Sequence, residues 1–187
     1  MSKDKLYSIW EGRDPKWEEK FYELIKQYTD YGIGAGKGAE DKAKKLGAGY
    51  EMYIYAFFIG LYLDKRRPLS GDTKRFGHQI LYWDGKDVIV TERKKYPRLK
   101  EYIFASLIAR TDDLDFIALE RGKIVPSRIV DALINTMEEY ANYGLYLVEE
   151  KLLENPAYFD TNTGFLDFLL STVNINKKEH EQVLEKL

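Results

Sequence analysis

The chain is 187 residues long, with 44% hydrophobic and 32% charged residues and a formal net charge of −2. That length suits a single domain whose core needs neither disulfides nor metal, and the balance excludes a disordered chain. The absence of cysteine excludes thiol catalysis, disulfides and cysteine-ligated zinc. The near-neutral charge leaves nucleic-acid binding open, because the clustering of cations matters more than their sum.

The first residues, MSKDKLYSIWEGRD, mix charges and hold no apolar signal core. With the missing cysteines they point to the cytoplasm. Asp14-Pro15 reads as a helix start, a capping side chain followed by proline at the first helical position. Trp17, Phe21, Leu24 and Tyr28 then recur at helical steps, which predicts an amphipathic helix to about Tyr28. Glu18, Glu19, Lys20 and Lys26 fall on its wet side. Residues 32–38, GIGAGKG, look like a phosphate loop but fail on spacing. Tyr31 stands where the first P-loop glycine belongs, Gly38 where serine or threonine belongs, and Lys37 where a dinucleotide fingerprint needs its third glycine. A connector is the simpler reading.

Residues 46–63, LGAGYEMYIYAFFIGLYL, carry one charge, Glu51. Tyr, Ile and Phe would suit a strand, but the length favours a helix, and one apolar on every side is surrounded by others. Ala56 and Gly60, four apart, offer a smooth patch to a close neighbour. The stretch is too short, and too interrupted by Glu51, to span a membrane. Pro68, Gly71 and Gly77 mark a loop. Residues 79–90, QILYWDGKDVIV, contain the best hairpin signal, Asp84-Gly85 between apolar runs. A short helix with a turn is the alternative. Pro97 opens a largely buried helix through Tyr102, Ala105, Leu107 and Ile108 to about Thr111. Asp112 or Asp113 caps a short helix ended by Gly122. The longest periodic run follows Pro126 and reaches Leu152 before Asn155-Pro156. Residues 165–173 form another apolar helix, and 177–187 a charged amphipathic tail. The predicted fold is mainly α, one helical bundle-like domain (residues 1–176) around a buried central helix, with one small β-hairpin and the tail appended.

Two basic clusters bracket the expected hairpin. Lys65, Arg66, Arg67, Lys74 and Arg75 precede it; Arg93, Lys94, Lys95, Arg98 and Lys100 follow. Convergent lysines and arginines neutralise backbone phosphates, and Tyr82, Trp83 and Tyr96 lie near enough in sequence to stack bases. A solvated charged face is the plain alternative. Asp72 with Asp84-Gly85-Lys86 has the loose form of a metal-dependent nuclease, although a turn explains the same three consecutive residues. Asp112, Asp113 and Asp115 suit helix capping better than a cation. His78 and His180 are the only histidines, which supports neither a zinc nor a di-iron centre and builds no triad. No cofactor is expected.

The run Glu139-Tyr140-Ala141-Asn142-Tyr143-Gly144-Leu145-Tyr146-Leu147, followed by Phe165-Leu166-Asp167-Phe168-Leu169, resembles the closing pattern of the small DndE proteins of bacterial DNA phosphorothioation systems. Ala56-Phe57-Phe58 is similar to their early apolar helix. The resemblance covers the last third of the chain and the central helix. It implies a helical accessory protein that binds DNA through a lysine-rich surface, assembles with itself or with modification subunits, and is not the sulfur-transfer enzyme. It carries over no individual binding residue. The leading expectation is a non-enzymatic DNA-binding accessory protein contacting phosphates through Lys65, Arg66, Arg67, Lys74, Arg75, Arg93, Lys94, Lys95 and Arg98. The alternatives are a protein-interaction subunit, self-associating or partner-bound through apolar helices and the tail, and the nuclease.

Overall fold

The computed structural model describes residues 3–31, 46–83 and 98–184. In chain order the elements are α1 (Lys3–Glu11), β1 (Lys16–Glu18), α2 (Tyr22–Tyr28), α3 (Gly49–Leu63), β2 (Thr73–Arg75), α4 (Leu99–Arg110), α5 (Phe116–Glu120), α6 (Pro126–Glu154) and α7 (Gly164–Leu184). Single turns of 3₁₀ helix occupy Glu19–Phe21, Ile80–Tyr82 and Tyr158–Asp160. The fold is mainly α, with one small antiparallel ladder of β1 and β2.

The chain divides into two compact units, Met1–Trp17 with Thr73–Glu138, and Glu18–Asp72 with Glu139–Leu187. In the first unit Tyr7, Trp10 and Phe104 pack ring against ring at 5.2–5.6 Å between centroids. Ile80, Trp83, Ile103, Leu107, Ile129, Leu133 and Met137 are among its other buried apolar residues. Lys100 is buried among them. Its ammonium donates to Leu81 O at 2.9 Å and pairs with Glu11 at 3.4 Å, so the desolvated charge is held by two acceptors.

The second unit is built on α3, as the all-round apolar sequence predicts. Tyr50, Met52, Tyr53, Ile54, Ala56, Phe57, Ile59 and Gly60 are all buried. The lone charge, Glu51, turns back and accepts from the amides of Gly47 and Ala48 at 2.9 and 3.3 Å, closing the helix N-terminus. The smooth patch has its neighbour. A Cβ added to Gly60 would overlap Tyr140 O, and one added to Gly144 would overlap the carbonyl of Ala56. α3 and the second half of α6 therefore meet backbone to backbone, which only glycine at these positions permits. On α7, Phe165 joins Tyr28, Tyr55 and Phe159 in an aromatic cluster. Tyr55 donates to Phe165 O at 2.7 Å, and burial pushes its phenol well up.

Several expectations change. Asp14-Pro15 starts no helix: Lys16–Glu18 is strand, and the helix begins at Tyr22. The extended backbone is taken up elsewhere, Lys16 N donating to Glu138 Oε1 at 2.7 Å and Glu19 N to Asp72 O at 2.9 Å. A helix the sequence reading did not expect, α1, precedes it. The Gln79 arm of the expected hairpin is a 3₁₀ turn, with Ile80 and Trp83 buried. The rest of that hairpin, from Asp84, lies outside the described residues, as does the glycine-rich segment 32–38. In α4 it is Ile103, Phe104 and Leu107 that face inward, while Tyr102 is 64% exposed. The cap of α5 is Asp115, whose carboxylate accepts from Ala118 N at 2.7 Å, and Asp113 takes a left-handed conformation ahead of it. α7 continues without a break to Leu184, through the segment read as a separate tail.

Candidate functional site

The basic loop that follows α3 is tied down along its backbone while its side chains stand in solvent. Asp64 ends α3 in a left-handed conformation, and its carboxylate accepts from Tyr140 OH at 2.9 Å. Lys65 N donates to Gly60 O, and Arg67 N donates to Glu139 O, each at 3.1 Å. Asn142 Nδ2 reaches the carbonyls of Arg67 and Pro68 at 3.2 and 3.1 Å. Lys65, Arg66 and Arg67 are all exposed.

Beneath the loop sits a carboxylate that the sequence reading placed on a wet helix face. Glu18 is 1% exposed. Its Oε1 accepts from Ser70 N at 2.7 Å, Asn142 Nδ2 at 2.9 Å and Ser70 Oγ at 3.2 Å; its Oε2 accepts from Tyr146 OH at 2.8 Å. Burial alone would raise the carboxyl pKa. The bonds from Ser70, Asn142 and Tyr146 outweigh burial and hold it below the usual glutamate value. Asn142 is 1% exposed, with both amide hydrogens shared among three acceptors. Strand alternation turns Trp17 inward and would leave Glu18 exposed beside Lys16, but β1 ends at Glu18, and the donors of Ser70, Asn142 and Tyr146 hold its carboxylate in cover.

Tyr146 is the third part of the site. Its ring carries the Arg67 guanidinium at 3.4 Å and the Lys20 ammonium at 3.7 Å from the centroid. Phe21 meets the same ring edge-on at 5.1 Å. Lys20 also pairs with Glu149 at 2.7 Å, both partly exposed.

The remaining predicted cations fall elsewhere. Lys74, Arg75 and Arg98 belong to the other unit. Arg75 donates to Asp14 O and, with Arg13, Lys16, Asp131 and Glu138, lines a polar cleft of about 160 Å³. In that cleft Arg13 is paired with Asp131 at 2.7 Å. Burial raises the Asp14 carboxyl, partly offset by the Gly77 amide and by Arg75. Arg98 is exposed at the start of α4. Arg93, Lys94 and Lys95 lie outside the described residues, and so do Asp84 and Lys86 of the nuclease reading. Among the described residues no three His, Asp or Glu side chains are grouped to hold a metal, and no helix is long and apolar enough to cross a membrane. The chain matches no protein-family model, no curated protein and no solved structure.

Proposed function

We propose that the chain is a non-enzymatic nucleic-acid-binding accessory protein whose contact surface is the loop Lys65-Arg66-Arg67. One observation supports this most: three consecutive exposed cations on a loop whose backbone is already fixed by Asn142, Glu139 and Glu18. A surface ordered before binding loses less entropy on association. Cations on it contact phosphates and bind without regard to sequence. Lys74, Arg75, Arg93, Lys94, Lys95 and Arg98 are further phosphate contacts in this reading. The resemblance to DndE proteins is in keeping with an accessory role in DNA modification.

The test is a duplex DNA shift assay across a salt series, with the variant Lys65→Ala/Arg66→Ala/Arg67→Ala beside wild type. Each phosphate contact contributes about 0.9 to the slope of log affinity against log salt, so the variant should lose about 2 to 3 units of slope. No duplex binding at low salt refutes the proposal. A second reading, a protein-interaction subunit, draws on exposed leucines on the second unit: Leu153 at 80%, Leu166 at 55% and Leu170 at 50%. Light scattering that finds only monomer, unchanged in Leu166→Lys/Leu170→Lys, refutes that one.

A further inference from the structure

Two cations within 4 Å of one ring centroid cannot share a face. A guanidinium at 3.4 Å lies flat against the ring and covers it, so the Lys20 ammonium at 3.7 Å must lie on the other side. Tyr146 is therefore clamped between Lys20 and Arg67, residues far apart in sequence. The arrangement concentrates two like charges around one side chain. The ring quadrupole offsets part of their repulsion, and the hydrogen bond from the Tyr146 hydroxyl to the Glu18 carboxylate enriches the ring and strengthens both contacts. The carboxylates of Glu18 and Glu149 balance the two cations, so an anion gains net positive charge here only by displacing Glu149 from Lys20. The Glu149 partner of Lys20 is a partly exposed pair, of the kind that exchanges readily for a better acceptor.

We infer that Lys20 and Arg67, held on opposite faces of Tyr146, form a phosphate subsite, and that Tyr146 itself stacks no base because both faces are covered. The inference rests on the reading of the loop as a phosphate-binding surface and extends it to Lys20, which lies in neither basic cluster of the sequence. It also specifies the ligand chemistry: a phosphodiester or polyphosphate, recognised by charge and not by its base.

The experiment has two arms on the full chain. In the first, tripolyphosphate is titrated while the side-chain resonances of Lys20 and Arg67 are followed. Both should shift in wild type, and the Arg67 shift should weaken several-fold in Lys20→Gln and recover in Lys20→Arg. Silent resonances overturn the subsite. In the second arm, duplex affinity is measured against salt. Lys20→Gln should lower the slope by about 0.9, one phosphate contact, with equal loss on A·T and G·C duplexes. An unchanged slope in a chain that binds duplex also overturns the subsite. A chain that binds tripolyphosphate through both residues but no duplex keeps the subsite and refutes the nucleic-acid reading.

Discussion

Glu18 is the residue on which the loop is expected to depend most. In Glu18→Ala the amide of Ser70, the side chain of Asn142 and the hydroxyl of Tyr146 lose their shared acceptor at a buried site. A hydrogen bond to a charged group contributes about 1.5–3 kcal/mol, and orphaned buried donors add their desolvation cost. The expected destabilisation is about 3–5 kcal/mol, the range for breaking a buried charged network. Glu18→Gln should cost much less, about 1–2 kcal/mol. Its carbonyl can replace Oε1, where three donors converge, and its amide can donate to the Tyr146 oxygen. The pH dependence separates the charge from the shape. The folded pKa of Glu18 is depressed, so its contribution is complete above the unfolded glutamate value and is lost as pH falls through the lower folded value. Urea unfolding between pH 3 and 7 should show wild type losing stability on the acid side, with Glu18→Gln flatter there. If Glu18→Ala unfolds within 0.5 kcal/mol of wild type, or Glu18→Gln keeps the full acid limb, the network does not hold the loop.

Other expectations are independent of it. Gly144→Ala and Gly60→Ala should each cost about 3 kcal/mol in urea unfolding, because a methyl group has no room against Ala56 or Tyr140 backbone; a cost under 0.5 would deny the close crossing. Asp115→Ala should weaken only α5, by about 1 kcal/mol, read as faster hydrogen exchange at Ala118 with little change in global stability. Burial raises the Asp14 carboxyl, so ionising it opposes folding, and stability should fall as pH rises from the unfolded aspartate value through the raised folded one. Asp14→Asn should remove that slope, read from the same urea series. Lys100→Ala should cost about 2 kcal/mol by leaving Leu81 O and Glu11 without their donor.

What was legible in the sequence depended on how far the deciding contacts lay. α3 and α6 show in local pattern alone, since an all-round apolar stretch and a long helical period need no distant partner to be read. The Ala56/Gly60 patch was readable because small residues one turn apart have few other uses. Glu18 was not. Glu19, Lys20 and Lys26 beside it on one helical-looking segment suggested a wet face, whereas Asn142 and Tyr146, which bury it, stand more than 120 positions away. The same holds for residues 14–18. Proline after aspartate is a good helix start locally, but Glu138 and Asp72 capture the backbone first and leave it extended. No local signal separates buried Glu18 from Glu19, the exposed carboxylate next to it in the same run.

The loop and its buried carboxylate make opposite demands on a bound phosphate. Glu18 orders Ser70 directly and Arg67 and Pro68 through Asn142, which favours binding; its negative charge lies at the hydroxyl end of the Tyr146 ring that carries Arg67, which opposes it. Ordering several residues at binding costs about 1 kcal/mol or more for each backbone fixed. A carboxylate acting on a solvent-exposed phosphate is screened within about 8–10 Å at ordinary ionic strength and contributes under about 1 kcal/mol. Ordering should therefore win, and Glu18→Ala, which removes the acceptor together with the charge, should bind duplex DNA several-fold more weakly although it makes the protein less negative. Alanine at 18 removes no phosphate contact, so the salt slope should stay as in wild type while the whole line drops. Tighter binding by Glu18→Ala would show that electrostatic repulsion, not loop order, is the larger effect, and a reduced slope would show that the loop has left its place altogether.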